Sequence, residues 1–262
     1  MPAMGVRFLI VDALNLIRRV YAATPEDTEA RHFDGALSAT TQSLRRALRD
    51  AAPTHAVSVF DGAEPTWRHA MYSDYKAGRT PMPETLRAGL EQYRVAFEEL
   101  GVSSVSKPEL EADDIAATLA TKVAESNGHA VILSTDKVYC QLISDGITIR
   151  DHFLKQDLDR GYVVQKFGVG PELLVDLWAL AGSASTHIPG VAGIGAKTAA
   201  KLLEEHGELE GVLEAAATIG GKLGERLRGG KERAHMSRQL ARLRRDLELG
   251  WNLKMFRLET SS

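Results

Sequence analysis

The chain has 262 residues, 44% of them hydrophobic and 26% charged, the composition of a folded globular protein that buries a full core in one large or two modest domains. Its formal net charge of −3 excludes a surface that is basic throughout, and its single cysteine, Cys140, excludes an internal disulfide or a thiolate zinc cluster. No apolar run reaches membrane-spanning length, and the start Met1-Pro2-Ala3-Met4 does not lead into a signal-peptide pattern, so a cytoplasmic protein without a membrane segment is expected, with a monomer as the default.

The first predicted element is the run Phe8-Leu9-Ile10-Val11, short, apolar and closed by Asp12. Ala56-Val57-Ser58-Val59-Phe60, closed by Asp61, and Ala130-Val131-Ile132-Leu133, followed by Asp136, have the same form and are separated from each other by helix-length segments. Such runs read as buried parallel strands of an α/β protein. The carboxyl ends of parallel strands emerge on one edge, so this reading gathers three carboxylates there.

Between Asp61 and Glu111 the segments Trp67-Arg68-His69 and Tyr75-Lys76-Ala77-Gly78-Arg79-Thr80-Pro81 combine aromatics with cations beside that edge. The combination suits single-stranded nucleic acid, with bases stacked on Tyr75 and phosphates met by Lys76 and Arg79; the other reading is that Trp67 and Tyr75 pack into the core. Gly78, Pro81 and Pro83 predict a jointed segment. Glu111-Ala112-Asp113-Asp114 then opens a helix running from Ile115 to Val123, and Glu111 and Asp114, three apart, share a face. Each acid taken alone reads as a helix cap, a turn residue or a dipole complement. Six on one edge instead predict a hard divalent cation, Mg²⁺ or Mn²⁺, held by Asp12, Asp61, Glu111, Asp113, Asp114 and Asp136.

Helical patterns dominate from about Asp157. Among them lies Ile188-Pro189-Gly190-Val191-Ala192-Gly193-Ile194-Gly195-Ala196-Lys197-Thr198-Ala199, where Gly193 and Gly195 permit a tight turn with positive φ and the helix starting near Ala196 offers free N–H groups to a phosphate. Gly193, Ile194, Gly195, Ala196, Lys197, Thr198 and Lys201 therefore form a predicted backbone grip on nucleic acid that positions a strand without reading bases; an ordinary packing hairpin is the alternative. The bent chain also turns carbonyls inward, and those of Leu180, Ala181, Pro189, Val191 and Ile194 are candidate ligands for K⁺. Between Gly220 and Arg245 nine Lys/Arg stand against two Glu, and Arg18-Arg19, Arg45-Arg46, Lys76 with Arg79, and Lys197 with Lys201 make smaller basic groups. Local basic groups beside an acidic pocket suit a polyanion held over a metal site, although a solvated helix surface also explains the long basic segment.

Taken together, Leu9-Ile10-Val11-Asp12, Val59-Phe60-Asp61, the Tyr75 to Arg79 block, Glu111-Ala112-Asp113-Asp114, Ser134-Thr135-Asp136-Lys137 and the glycine hairpin resemble the 5′-nuclease family of polymerase-linked nuclease domains, phage 5′-exonucleases and flap endonucleases. The resemblance runs nearly end to end and, with no polymerase following, is to a free-standing member. It implies a PIN-like, mainly parallel sheet flanked by helices over residues 1–156, with a helical arch that takes the 5′ single strand past Tyr75, Lys76 and Arg79. Residues 157–262 would carry a helix-hairpin-helix motif whose K⁺ helps to hold duplex DNA. The implied activity is metal-dependent hydrolysis of 5′-flap DNA near the junction in replication or repair. The chain departs from the pattern at Val138, Ser183 and Thr186, where members with a full second metal cluster carry Asp. That departure predicts Asp113 as the principal direct ligand, with other contacts made largely through water. A DNA-binding protein with weakened catalysis and an RNA-directed PIN-like nuclease are the competing expectations; the intact first set of acids speaks against the former and the duplex-gripping hairpin against the latter.

Overall fold

The computed structural model describes residues 5–25, 29–62 and 65–259; Met1 to Met4, on which the expectation about a leader rests, lie outside them. The sheet contains β1 (Arg7–Asp12), β2 (His55–Val59), β3 (Ser103–Val105), β4 (His129–Leu133), β5 (Ile147–Asp151) and β6 (Gln156–Leu158), in the order β3-β2-β1-β4-β5-β6. All neighbours are parallel except the β5–β6 hairpin. The three strands expected from apolar runs are the three central ones, with Ile10 opposite both Val57 and Ile132. The chain winds from β1 toward β2 and β3 on one side and resumes at β4 on the other. The gap between the carboxyl ends of β1 and β4 is therefore the topological switch point, the ordinary place for a ligand in such a sheet.

Alternation along β1 sends Phe8 and Ile10 to one face and Leu9 and Val11 to the other. The second face is covered by α1 (Ala13–Ala23), α2 (Glu29–Ala51) and α5 (Leu90–Glu98), which contribute Leu16, Ile17, Phe33, Leu44 and Phe97. On the first face lies α6 (Ala112–Glu125), buried nearly all round: its alanines let it sit close on the sheet, and a later segment of the chain packs on it through Arg244 and Leu247. Two five-residue helices, α3 (Trp67–Met71) and α4 (Glu84–Ala88), are the helical content of the segment expected to arch, and a turn-rich connection joins them.

The helical region comprises α7 (Arg160–Phe167), α8 (Leu174–Ala181), α9 (Ala196–His206), α10 (Leu209–Ala215), α11 (Gly221–Gly229) and α12 (Lys231–Ala241). Leu174, Leu177, Leu202 and Leu227 of these helices belong to the same apolar cluster as Ile10 and Ile132. The division at 156/157 needs correction at two places. Strand β6 crosses it, because its pairing with β5 extends the sheet to Leu158. The chain after α12 also runs back over the sheet domain: the Arg244 N–H donates to Asp114 Oδ1 at 3.0 Å, Phe256 stacks on Phe8 at 5.6 Å, and Arg257 bridges His55. Among the described residues no helix is long and apolar enough to cross a membrane.

Candidate active site and nucleic-acid interface

Three of the acids serve as helix caps and face one cavity as well. Asp12 Oδ1 accepts the N–H of Asn15 at 3.2 Å at the start of α1, while its Oδ2 accepts Ser134 Oγ at 2.8 Å. Asp61 Oδ1 accepts the N–H of Ala112 at 2.8 Å and so ties the end of β2 to the start of α6. Asp136 Oδ1 caps the 3₁₀ turn Lys137–Leu142 through the N–H of Val138 at 2.9 Å. Asn15 Oδ1 accepts from both the N–H and the hydroxyl of Thr135 at 3.0 Å, which fixes the loop bearing Asp136 against α1. With Asp113 from the first turn of α6, these carboxylates line a cavity of about 250 Å³ together with Arg18, Arg19, Lys76 and Arg79.

The cavity is electrostatically strained. Burial, with added repulsion from Asp61 and Asp136, pushes the Asp12 carboxyl up to about 7. Burial likewise raises Asp113 well above the ordinary carboxylate range; Lys76 opposes the rise, and Asp136, Asp12 and Asp61 add to it. Below them Tyr139 is fully buried, and its hydroxyl has no hydrogen bond of ordinary geometry. Burial and the charges of Asp113, Asp12 and Asp136 raise its pKa as well. Like charges, oxygen-only donors and an orphaned hydroxyl form an environment that a hard divalent cation relieves. Among the described residues no three acidic, His or Cys side chains converge closely enough to cage an ion by themselves, so an ion here keeps much of its water.

Two expected ligands are turned away from this cavity. Glu111 and Asp114 do share a helix face, as their spacing predicts, but the face meets Arg68. Arg68, 2% exposed, donates to Glu111 Oε2 at 3.1 Å, to Asp114 Oδ2 and Oδ1 at 2.9 and 2.8 Å, and to the carbonyls of Leu240 and Arg242 at 2.9 and 3.0 Å. Trp67 Nε1 also donates to Asp114, and Thr66, Tyr75 and Lys76 all donate to Glu111. Burial opposes the Glu111 charge, yet Lys76, Arg68 and Thr66 outweigh it and hold its pKa below the usual value. Glu111 thus reaches the cavity through Lys76, whose Nζ lies 3.0 Å from it.

Tyr75 needs the same correction. Its ring is 4% exposed, packed with Ile188 and Leu240, and its hydroxyl is spent on Glu111, so it is a core residue rather than a base-stacking platform. The guanidinium groups of Arg68 and Arg244 both lie over the Trp67 ring, at 4.4 and 4.3 Å from its centroid. The connection after Tyr75 is docked on the helical region and on α1: the Lys76 N–H donates to Thr186 O, Arg79 to Ser185 O and Arg18 to Thr80 O. Tyr139 and Asn15 were missed by sequence reasoning and carried no signal in the chain, while Arg68, read with Trp67 and His69 as part of a surface for single-stranded nucleic acid, is instead the buried partner of Glu111 and Asp114. Val138, Ser183 and Thr186 line an adjoining cavity of about 260 Å³ that shares Asp113 and Asp136 with the acidic one.

The glycine hairpin joins α8 to α9. Gly182, Gly190 and Gly193 have φ of +74°, +61° and +76°. An added Cβ on Gly190 would stand 2.3 Å from Gly182 N and 2.6 Å from the Ala181 carbonyl carbon, so the two backbone runs touch directly. The Leu180 and Val191 carbonyls accept the N–H groups of Val191 and Ile194, each keeping a second lone pair. Gly195, Ala196, Lys197, Thr198 and Lys201 are exposed, and α9 starts without a side-chain cap. The Ile194 side chain is 3% exposed, which leaves only its backbone to present. Within the long basic segment, Arg226 donates to Gly193 O at 3.0 Å and Arg238 pairs with Asp176 at 2.7 Å, so part of that charge is structural. Gly190→Ala is expected to cost about 1–3 kcal/mol of stability by thermal unfolding. Gly195→Ala, where an added Cβ meets nothing within 4 Å, is expected to leave stability nearly unchanged; equal losses at the two sites would contradict the close backbone contact.

A parallel sheet with acids at its switch point, backed by a helical hairpin region, defines a nuclease of the 5′-3′ exonuclease family, to which the chain belongs: the profile of the family's N-terminal resolvase-like domain matches residues 7–168, and that of its C-terminal SAM fold matches residues 169–262. Within that family the chain is similar to flap endonuclease Xni over nearly its whole length. It is 48% identical to that of Pectobacterium carotovorum subsp. carotovorum (strain PC1), covering 99% of this chain and 97% of the relative. To that of Klebsiella pneumoniae (strain 342) it is 46% identical, covering 97% and 99%. Among solved structures, T5 5′-exonuclease with bound zinc superposes with a TM-score of 0.75 at 20% identity, covering 90% of this chain and 89% of the other, a likeness of fold.

Proposed function

We propose that the chain is a structure-specific 5′-flap endonuclease that hydrolyses DNA phosphodiester bonds near the junction of single strand and duplex, with Mg²⁺ or Mn²⁺ as cofactor. The observation that carries this reading is the convergence of Asp12, Asp61, Asp113 and Asp136 on one cavity whose other walls are Arg18, Arg19, Lys76 and Arg79. Asp113, helped by the other three directly or through water, would hold the divalent ion, which when bound acidifies water and stabilises charge on the phosphoryl oxygens. Lys76 sets a cation at the cavity, anchored by Glu111, and with Arg79, Arg18 and Arg19 it draws the scissile phosphate in. Tyr75, Thr66 and Arg68 fix Glu111 and so aim Lys76.

On the duplex side, the backbone from Gly193 to Thr198, with Lys197 and Lys201, holds phosphates without reading bases. Carbonyls of Leu180, Ala181, Pro189, Val191 and Ile194 are the proposed K⁺ ligands, supported by the contact of the two backbone runs at Gly182 and Gly190. The reading includes a cytoplasmic, monomeric enzyme that serves DNA replication or repair. Its test is cleavage of an end-labelled 5′-flap duplex in Mg²⁺ and K⁺, with binding recorded on the same DNA. Cutting near the junction that is abolished by Asp113→Ala while binding persists supports it; binding without cleavage by the unaltered protein in either Mg²⁺ or Mn²⁺ overturns it.

A further inference from the structure

With Tyr75 buried, an exposed aromatic that touches a wall residue of the acidic cavity is Phe153, in the turn between β5 and β6. Because β5 runs parallel to β4, its carboxyl end at Asp151 opens on the same edge of the sheet as the acids. The turn that follows is held by Asp151 Oδ1, which accepts the N–H groups of Phe153 and Leu154 at 3.2 and 3.1 Å, and by His152, whose ring nitrogen lies 2.8 Å from Ser43 Oγ of α2. It presents Phe153 and Leu154, 37% and 69% exposed, although neither is needed by the core. Arg19 bridges this turn to the cavity: its guanidinium carbon lies 4.9 Å from the Phe153 ring centroid, and the same side chain lines the acidic cavity and donates to Thr135 Oγ1 at 3.4 Å. Arg18, Arg46 and Lys155 are exposed on the neighbouring elements.

We infer that Phe153 with Arg19 is a stacking station for a nucleobase of the single-stranded 5′ arm, the base lying on the exposed part of the ring while Arg19 meets the phosphate between that nucleotide and the scissile bond. The inference rests on the flap-endonuclease reading and adds to it the residue that receives the displaced strand. An aromatic face beside guanidinium groups binds single strands without base preference, because every base has a π-face and every nucleotide a phosphate. A duplex cannot offer an unstacked base, so the station distinguishes the arm from the paired stem.

The experiment uses 5′-flap duplexes with 2-aminopurine at successive positions of the single-stranded arm, bound by the full chain in EDTA, together with KM in Mg²⁺ and affinity for a blunt duplex. Quenching confined to a short stretch of the arm beside the junction is expected for the unaltered protein and for Phe153→Trp. Phe153→Ser is expected to lose the quenching and to raise the KM for flap DNA about tenfold, with blunt-duplex affinity unchanged. Quenching and KM that survive Phe153→Ser would overturn the station while leaving the flap reading intact, and so would an equal loss of blunt-duplex affinity. Failure of the unaltered protein to prefer flap over blunt DNA would instead remove the reading on which the station depends.

Discussion

Asp113→Ala is expected to destroy cleavage and, in the same molecule, to raise the melting temperature of the ion-free protein. The two effects have one origin. Asp113 is partly exposed at the cavity with Asp12, Asp61 and Asp136 around it, and Lys76 offsets only part of the resulting penalty. Without a metal ion Asp136, Asp12 and Asp61 repel the Asp113 charge, and removing that charge relieves the repulsion, with roughly 2–4 °C in Tm for each kcal/mol released. On the proposed assignment a bound cation takes the same carboxylate as its principal contact, and its loss is expected to remove several kcal/mol of transition-state stabilisation, on the order of a thousandfold or more in kcat. Mg²⁺ should accordingly raise the Tm of the unaltered protein by linkage and have far less effect on the variant. Scanning calorimetry with and without Mg²⁺ checks this. An ion-free variant less stable than the unaltered protein would show that Asp113 is structural.

Arg68→Met should produce the largest loss of stability of any substitution close to the site, about 3–5 kcal/mol, the cost of removing one partner from a buried ion pair. Methionine fills much of the volume, so the loss reports the charge and its hydrogen bonds rather than a cavity. Glu111 would keep Thr66, Tyr75 and Lys76, and Asp114 would keep Trp67 and the Arg244 N–H, but two carboxylates would remain buried without their shared cation. The carbonyls of Leu240 and Arg242 would lose their donor at the same time. Urea unfolding measures the difference. Arg68→Met combined with Asp114→Leu should recover part of the loss, since a buried charge pair replaced on both sides by apolar groups is often neutral. A loss below about 1 kcal/mol for the single variant would mean that water replaces Arg68, as it does around surface ion pairs.

The particular residues show why the sequence disclosed some features and concealed others. β1, β2 and β4 were legible because strands buried on both faces are continuous apolar runs, and the acids that end them had to share an edge once the strands were parallel. The glycine hairpin was legible from its clustered glycines, but of the two expected to take positive φ only Gly193 does, at +76°; Gly195 is extended at φ −92° as the residue preceding α9, and the remaining positive φ and the close backbone contact fall at Gly182 and Gly190. β3 and β6 are three residues each, too short for a periodic signal. Tyr75 beside Lys76 has the same local sequence whether its ring faces DNA or the core; what decides it is Ile188 and Leu240, far along the chain. Glu111 and Asp114 were placed correctly on one face, but local spacing does not say which face meets the cavity and which meets Arg68. The caps explain why neither reading of the strand-end acids excluded the other: a carboxylate that orders a helix start through one oxygen still presents charge to the cavity.

The return of the chain over the sheet domain has a consequence for how the enzyme is made. Arg68 takes two of its acceptors from Leu240 and Arg242, 172 and 174 residues later in the chain. A ribosome adding about 5–20 residues per second needs on the order of ten to thirty-five seconds to supply them. In the later part of that interval, once Leu158 has been added, the strands and acids already exist, but the arginine that orders Glu111, and through it Lys76, lacks part of its anchorage. Vectorial synthesis thus delays a finished site until the segment bearing Leu240 and Arg242 has emerged, so a nascent chain, or one terminated before that segment, would carry the acids without the means to aim them.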